Sequence, residues 1–175
     1  MKKPIIIGVI AVAIIGIGIA LSFSDKKTSD LKTNGDSDAA QVGESFENQG
    51  REHVSLEQTT DPYNSNPPTS GNHLANPAEW GVYQSELPDK QLIHNLEHGG
   101  IWISYKDTDP DTKAKLEVIG KANPGSVIVT PRAANDTPIT LAAWTRLEKL
   151  TTYDEAKILE FIKANKNKSP EPLAK

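Results

Sequence analysis

The sequence predicts a small single α+β domain, loop-rich in its first half, with an antiparallel or mixed sheet flanked by helices, behind one N-terminal transmembrane helix. Three observations carry this expectation. Residues 5–23 hold no charge and one polar side chain, Ser22. Residues 51–168 are long enough for one hydrophobic core but not two. Within them, turn formers crowd the first half, and the second half alternates β-branched runs with helical periodicity.

At about 1.5 Å per residue, residues 5–23 span roughly 28 Å as a helix, close to the hydrocarbon thickness of a bilayer. Residues 1–24 are therefore expected to be a single-pass anchor. Lys2 and Lys3 precede it, so the positive-inside rule leaves the N-terminus cytoplasmic and the rest of the chain outside the cell membrane. Removing those two lysines leaves 17 of the 19 bases against 23 acids, so the exported part carries a net charge of −6. A cleaved signal peptide is the rival expectation, with Gly18-Ile19-Ala20 as its small-x-small site. Both send the domain to the same compartment. Gly8, Gly16 and Gly18 would also tolerate close packing of the anchor against another helix.

Residues 25–50 are dominated by Asp, Lys, Ser, Thr, Asn, Gly and Gln, and are expected to form a disordered polar tether with a reach of roughly 25–30 Å. The domain follows over residues 51–168. Asp61 to Asn72 is almost entirely turn-forming. Ile101 to Tyr105 reads as a strand, and Asp109 to Asn123 as a helix with Pro110 in its first turn and Ala114, Leu116, Val118 and Ile119 facing inward. Ser126 to Thr130 and Ile139 to Trp144 read as further strands. Thr152 to Glu155 resembles a capping box opening a last helix, with Ile158, Leu159, Phe161 and Ile162 as its buried stripe. Residues 169–175 are expected to be a flexible tail.

The chain has no cysteine, and its one methionine is the initiator. That excludes disulfides, thiolate metal sites, lipid attachment and a cysteine nucleophile, and leaves imidazole and oxygen for any metal chemistry. The four histidines, His53, His73, His94 and His98, all lie in the irregular first half. In His94-Asn95-Leu96-Glu97-His98-Gly99-Gly100 the two histidines stand at i and i+4, which puts them on one face of either a helix or a strand. Glu97 is a candidate third ligand, base or orienting acceptor. His73 follows the stiff Pro67-Pro68-Thr69-Ser70-Gly71 approach, and His53 opens the domain.

Pro67-Pro68-Thr69-Ser70-Gly71-Asn72-His73, Trp80-Gly81-Val82-Tyr83 and His94 to Gly100, in that order, resemble the bacterial domain-of-unknown-function family numbered 3105. Arg51-Glu52-His53-Val54 and Ala143-Trp144 also resemble parts of its pattern, and the likeness covers about residues 48–165. The resemblance implies a small bacterial protein with an N-terminal membrane segment, sets all four histidines on the family's motifs, and carries no established activity.

Three functions compete. The first is an extracytoplasmic metal-binding domain, with His94 and His98 as the core pair, His73 as third ligand and His53 as fourth. Without sulfur the set suits Cu(II) or Zn(II), and binding should weaken below about pH 6.5, where imidazole protonates. The second is a cell-envelope hydrolase with Glu97 as base and Trp80, Tyr83 and Trp102 lining a cleft. His94 to His98 does fit the inverted zinc-peptidase pattern H-x-x-E-H. Against it, Gly99-Gly100 cuts the helix short, and the late acids Glu160 and Glu171 sit on an amphipathic helix and the tail. Ser70 as a nucleophile lacks the strand-turn-helix setting that a triad needs. The third is a structural or interaction module in which the His-Asn-Glu cluster only hydrogen-bonds loops. An acidic exported domain without a basic stripe is not expected to bind nucleic acid.

Overall fold

A computed structural model describes residues 40–175. The apolar segment read as an anchor lies outside the described residues, as does most of the tether. No helix among the described residues is long and apolar enough to cross a membrane.

The domain is α+β, with one mixed six-stranded sheet and three helices. The strands are β1 (Glu44–Ser45), β2 (Gly81–Val82), β3 (Ile101–Tyr105), β4 (Val127–Pro131), β5 (Ile139–Ala143) and β6 (Arg146–Leu150), and the helices are α1 (Asp89–Glu97), α2 (Pro110–Ala122) and α3 (Glu155–Asn165). The order across the sheet is β1-β6-β5-β3-β4-β2. β3 runs parallel to β4 and antiparallel to β5, and β2 joins the far edge parallel to β4.

Strand parity divides the core. Ile101, Ile103 and Tyr105 of β3 face one side with Val127, Val129, Ile139 and Leu141, where α2 and α3 add Leu116, Ile119, Ile158, Phe161 and Ile162. Trp102, Ile128 and Ala142 face the other side, where α1 adds Leu92, Ile93 and Leu96. A sheet covered on both faces explains why its central strands are buried along their length and apolar except at Ser104, Thr130 and Thr140. The Trp102 indole N–H donates to Thr130 Oγ1 at 2.9 Å, so this buried ring keeps its polar group satisfied.

α1 carries the site residues, and its start is pinned from the sheet. Its N-cap is Pro88, which supplies no side-chain cap. Asp89 instead receives a two-pronged ion pair from Arg132, Nε to Oδ1 at 2.9 Å and Nη2 to Oδ2 at 2.7 Å. Such a paired guanidinium at the end of β4 sets the helix against the sheet.

Several expectations need correction. The fold begins before Arg51: Glu44 and Ser45 pair with Leu147 and Arg146, and Val42 packs on the core, so residues 40–50 belong to the domain. In α2 the buried stripe is Leu116, Ile119 and Gly120, whereas Ala114 and Val118 face solvent, Val118 with 64% exposure. Positions 114 and 118 share a helical stripe lying off the inward one. Leu159 of α3 is likewise 44% exposed. The cap of α3 is Asp154, whose side chain accepts from the Lys157 N–H. β6 lies outside the expected strands, because three of the five residues in its Arg-Leu-Glu-Lys-Leu pattern are charged.

The tail is also held. The carbonyls of the last turn of a helix have no partner within it. Those of Glu97 and His98 are met by the N–H groups of Glu171, Leu173 and Ala174 at 2.9–3.1 Å. Asn167 adds side-chain bonds to both the N–H and the carbonyl of Ala174.

Candidate metal centre

Three segments converge on the sheet face that α1 covers. Residues 50–54 lie alongside residues 71–73, with His53 and His73 opposite each other in an isolated parallel bridge. The Val54 N–H donates to His73 O at 2.8 Å and the His73 N–H to Glu52 O at 3.0 Å, which turns both imidazoles toward the same place. α1 supplies the rest. His94, Glu97 and His98 stand at i, i+3 and i+4, so the helix gathers them on one face.

Each residue of His94 to Gly100 has a distinct job. Asn95 clamps the backbone of Ala78, accepting its N–H and donating to its carbonyl, both at 2.9 Å. Leu96 is fully buried. Gly99, at φ +83°, and Gly100 close the helix in a Schellman turn, with Gly100 N–H to Asn95 O and Gly99 N–H to Leu96 O at 2.9 Å each. A Cβ on Gly100 would run into the Trp80 ring.

Ligand atoms from His53, His73, His94 and Glu97 lie within 4.8 Å of one another, and this group could hold a metal ion. The His53 ring stacks on His94, with centroids 5.1 Å apart, and meets His73 edge-on at 5.0 Å. Trp144 forms a wall, 6.5 Å from the His73 ring and perpendicular to it. The expected core pair, His94 and His98, has its Nε2 atoms 3.1 Å apart. His98 also belongs to a second group with Glu97 and Glu171.

Hydrogen bonds define which nitrogens are available. His73 Nδ1 faces Gly71 O at 2.8 Å and His94 Nδ1 faces Leu74 O at 2.6 Å. Only an N–H can face a carbonyl oxygen, so in each neutral ring Nε2 carries the bare lone pair that a metal takes. Backbone orientation of this kind is how metal-binding histidines are usually held. For His73 the consequence is sharp: its Nε2 lone pair lies 3.1 Å from Glu97 Oε2, with the two side chains 0% and 3% exposed. Two acceptors in contact repel unless a proton or a cation lies between them. The three-histidine and carboxylate donor set fits a borderline divalent cation.

Burial pushes the His73 imidazole below the ordinary histidine range, which disfavours the proton, and burial does the same to His98. The unfolded chain regains an ordinary value near 6.5. It therefore takes up protons first as pH falls, so this contribution to stability is full above about 6.5 and is lost as pH falls through the lowered folded values. Urea midpoints of metal-free protein should decline from about pH 7 to about pH 5; a flat profile there would contradict the lowered His73 and His98.

Other anticipated residues behave differently. Ser70 is fully buried, and its Oγ accepts from the Gln49 N–H at 3.0 Å, a loop bond rather than a nucleophile's setting. Trp102 is buried at 1% exposure in the core cluster against which the partly buried Trp80 and Tyr83 pack. Glu97, 2% exposed, is enclosed between His73 and Arg51. Glu171, set aside on sequence, reaches the site, 3.6 Å from His98 Nε2 and 2.9 Å from Arg51 Nη1. Its one signal in the sequence was that it is an acid beyond the last helix, and that does not distinguish it from solvent-facing acids.

Residues 53–175 match the family described as Protein of unknown function (DUF3105). No curated protein and no solved structure matches the chain.

Proposed function

The chain belongs to this family, whose description carries no activity, and we propose that it is a membrane-anchored extracytoplasmic protein binding one Cu(II) or Zn(II) through His53, His73 and His94, with Glu97 completing the set and His98 adjoining. The observation that carries this is the buried His73–Glu97 contact, where a neutral ring's lone pair meets a carboxylate beside two more imidazoles. The exposed His53 leaves one side of the site accessible to solvent. The anchor and the location rest on the apolar run at residues 5–23 and the preceding lysines.

Chelator-treated full-length protein tests the reading. Cu(II) or Zn(II) at about 100 times its Kd should stabilise the domain by roughly 2.7 kcal/mol. At about 3 °C per kcal/mol for a domain of this size, the melting temperature should rise by about 8 °C. No rise, with no metal retained on elemental analysis, would discard the metal site. The location is tested by adding protease to intact cells: survival of the domain would contradict export.

The structural-module reading draws support from Asn95 and Ser70, whose side chains bond backbone groups among the described residues. It predicts that metal changes nothing and that histidine substitutions destabilise the metal-free fold.

A further inference from the structure

Resting on the metal-binding reading above, we propose that the centre takes a second divalent cation, held by His98 and Glu171 and joined to the first through the Glu97 carboxylate. The two oxygens of Glu97 address different neighbours. Oε2 lies 3.1 Å from His73 Nε2, while Oε1 lies 3.5 Å from Arg51 Nη1, which in turn is 2.9 Å from Glu171 Oε1. A carboxylate turned both ways is placed to bridge two ions. Ligand atoms of Glu97, His98 and Glu171 fall within 4.8 Å of one another, and Glu97 is the residue shared with the three-histidine group.

The spacings fit coordination better than direct bonding. Metal–ligand bonds of about 2.0–2.2 Å put neighbouring ligand atoms roughly 3.0–3.5 Å apart. His98 Nε2 and Glu171 Oε2 are 3.6 Å apart, long for a hydrogen bond and close to that range. The second group is also built rather than incidental, because the bonds from the tail to the carbonyls of Glu97 and His98 carry Glu171 to the end of α1. Arg51 spans the two carboxylates, so the local charge already favours a cation there. Its side chain is 53% exposed and can withdraw into solvent as an ion enters.

Pairs of ions in two-metal sites lie about 3.5–4 Å apart, close enough for two Cu(II) centres to couple magnetically. The test uses full-length protein, freed of metal and then loaded with Cu(II) alone. Two copper ions per chain are expected, with an electron paramagnetic resonance signal far below that of two independent spins. Glu171→Gln alters a half-exposed side chain and His98→Gln a partly exposed one. Each variant should drop to one copper per chain with an uncoupled Cu(II) spectrum. One copper in the unaltered protein, or two that both variants retain, overturns the second site and leaves the three-histidine site standing. No copper at all overturns both.

Discussion

His73→Ala is expected to abolish metal-dependent stabilisation and to destabilise the metal-free domain by about 3 kcal/mol or more. The magnitude follows from deleting a fully buried ring, which leaves a cavity and strips the buried Gly71 carbonyl of the N–H it accepts from. His53→Ala is the informative companion. His53 is exposed, and its ring packs against the rings of His73 and His94. It should therefore cost under about 0.5 kcal/mol without metal, as for other surface changes, yet sharply reduce the rise in melting temperature with Cu(II) or Zn(II). Urea unfolding with and without metal measures both quantities. If the His53 variant keeps the full metal response, the ion is not held by this set.

Gly99→Ala should cost about 2–5 kcal/mol and weaken metal uptake through the tail. Gly99 sits at φ +83°, where a Cβ costs roughly 1–2 kcal/mol. The Cβ would also lie 2.8 Å from Asn167 Cα and 3.1 Å from its N, backbone atoms that cannot swing aside, which adds about 1–3 kcal/mol of overpacking. Gly50→Ala is the control, with φ +87° and nothing within 4 Å of the added carbon, so it should show only the conformational part. Equal losses in the two variants would mean that the Asn167 contact does not hold the tail in place.

The legible parts of the fold were those encoded locally. β3, β4 and β5 are short apolar β-branched runs, and α2 announces itself with Asp109 as cap and Pro110 behind it. The illegible parts depend on partners distant in sequence. β6 joins β5 through a two-residue turn with Thr145 at φ +59°, where no Gly or Asn marks the hairpin. β1 and β2 are two residues each, strands only because β6 and β4 offer free edges. Exposure of Ala114, Val118 and Leu159 followed from where each helix meets the sheet, which apolar content alone does not specify.

For the site, the sequence by itself determined the available chemistry: no sulfur, four histidines confined to residues 53–98, and a Glu-containing block ended by two glycines. Only the tertiary structure decided that His94, Glu97 and His98 share a helix face rather than a strand face, and that both Nδ1 atoms of His73 and His94 are taken by backbone carbonyls. It also brought Glu171 to the end of α1. The reason is physical: ligand type is a property of one residue, whereas tautomer, burial and approach are set by carbonyls and N–H groups that belong to other segments of the chain.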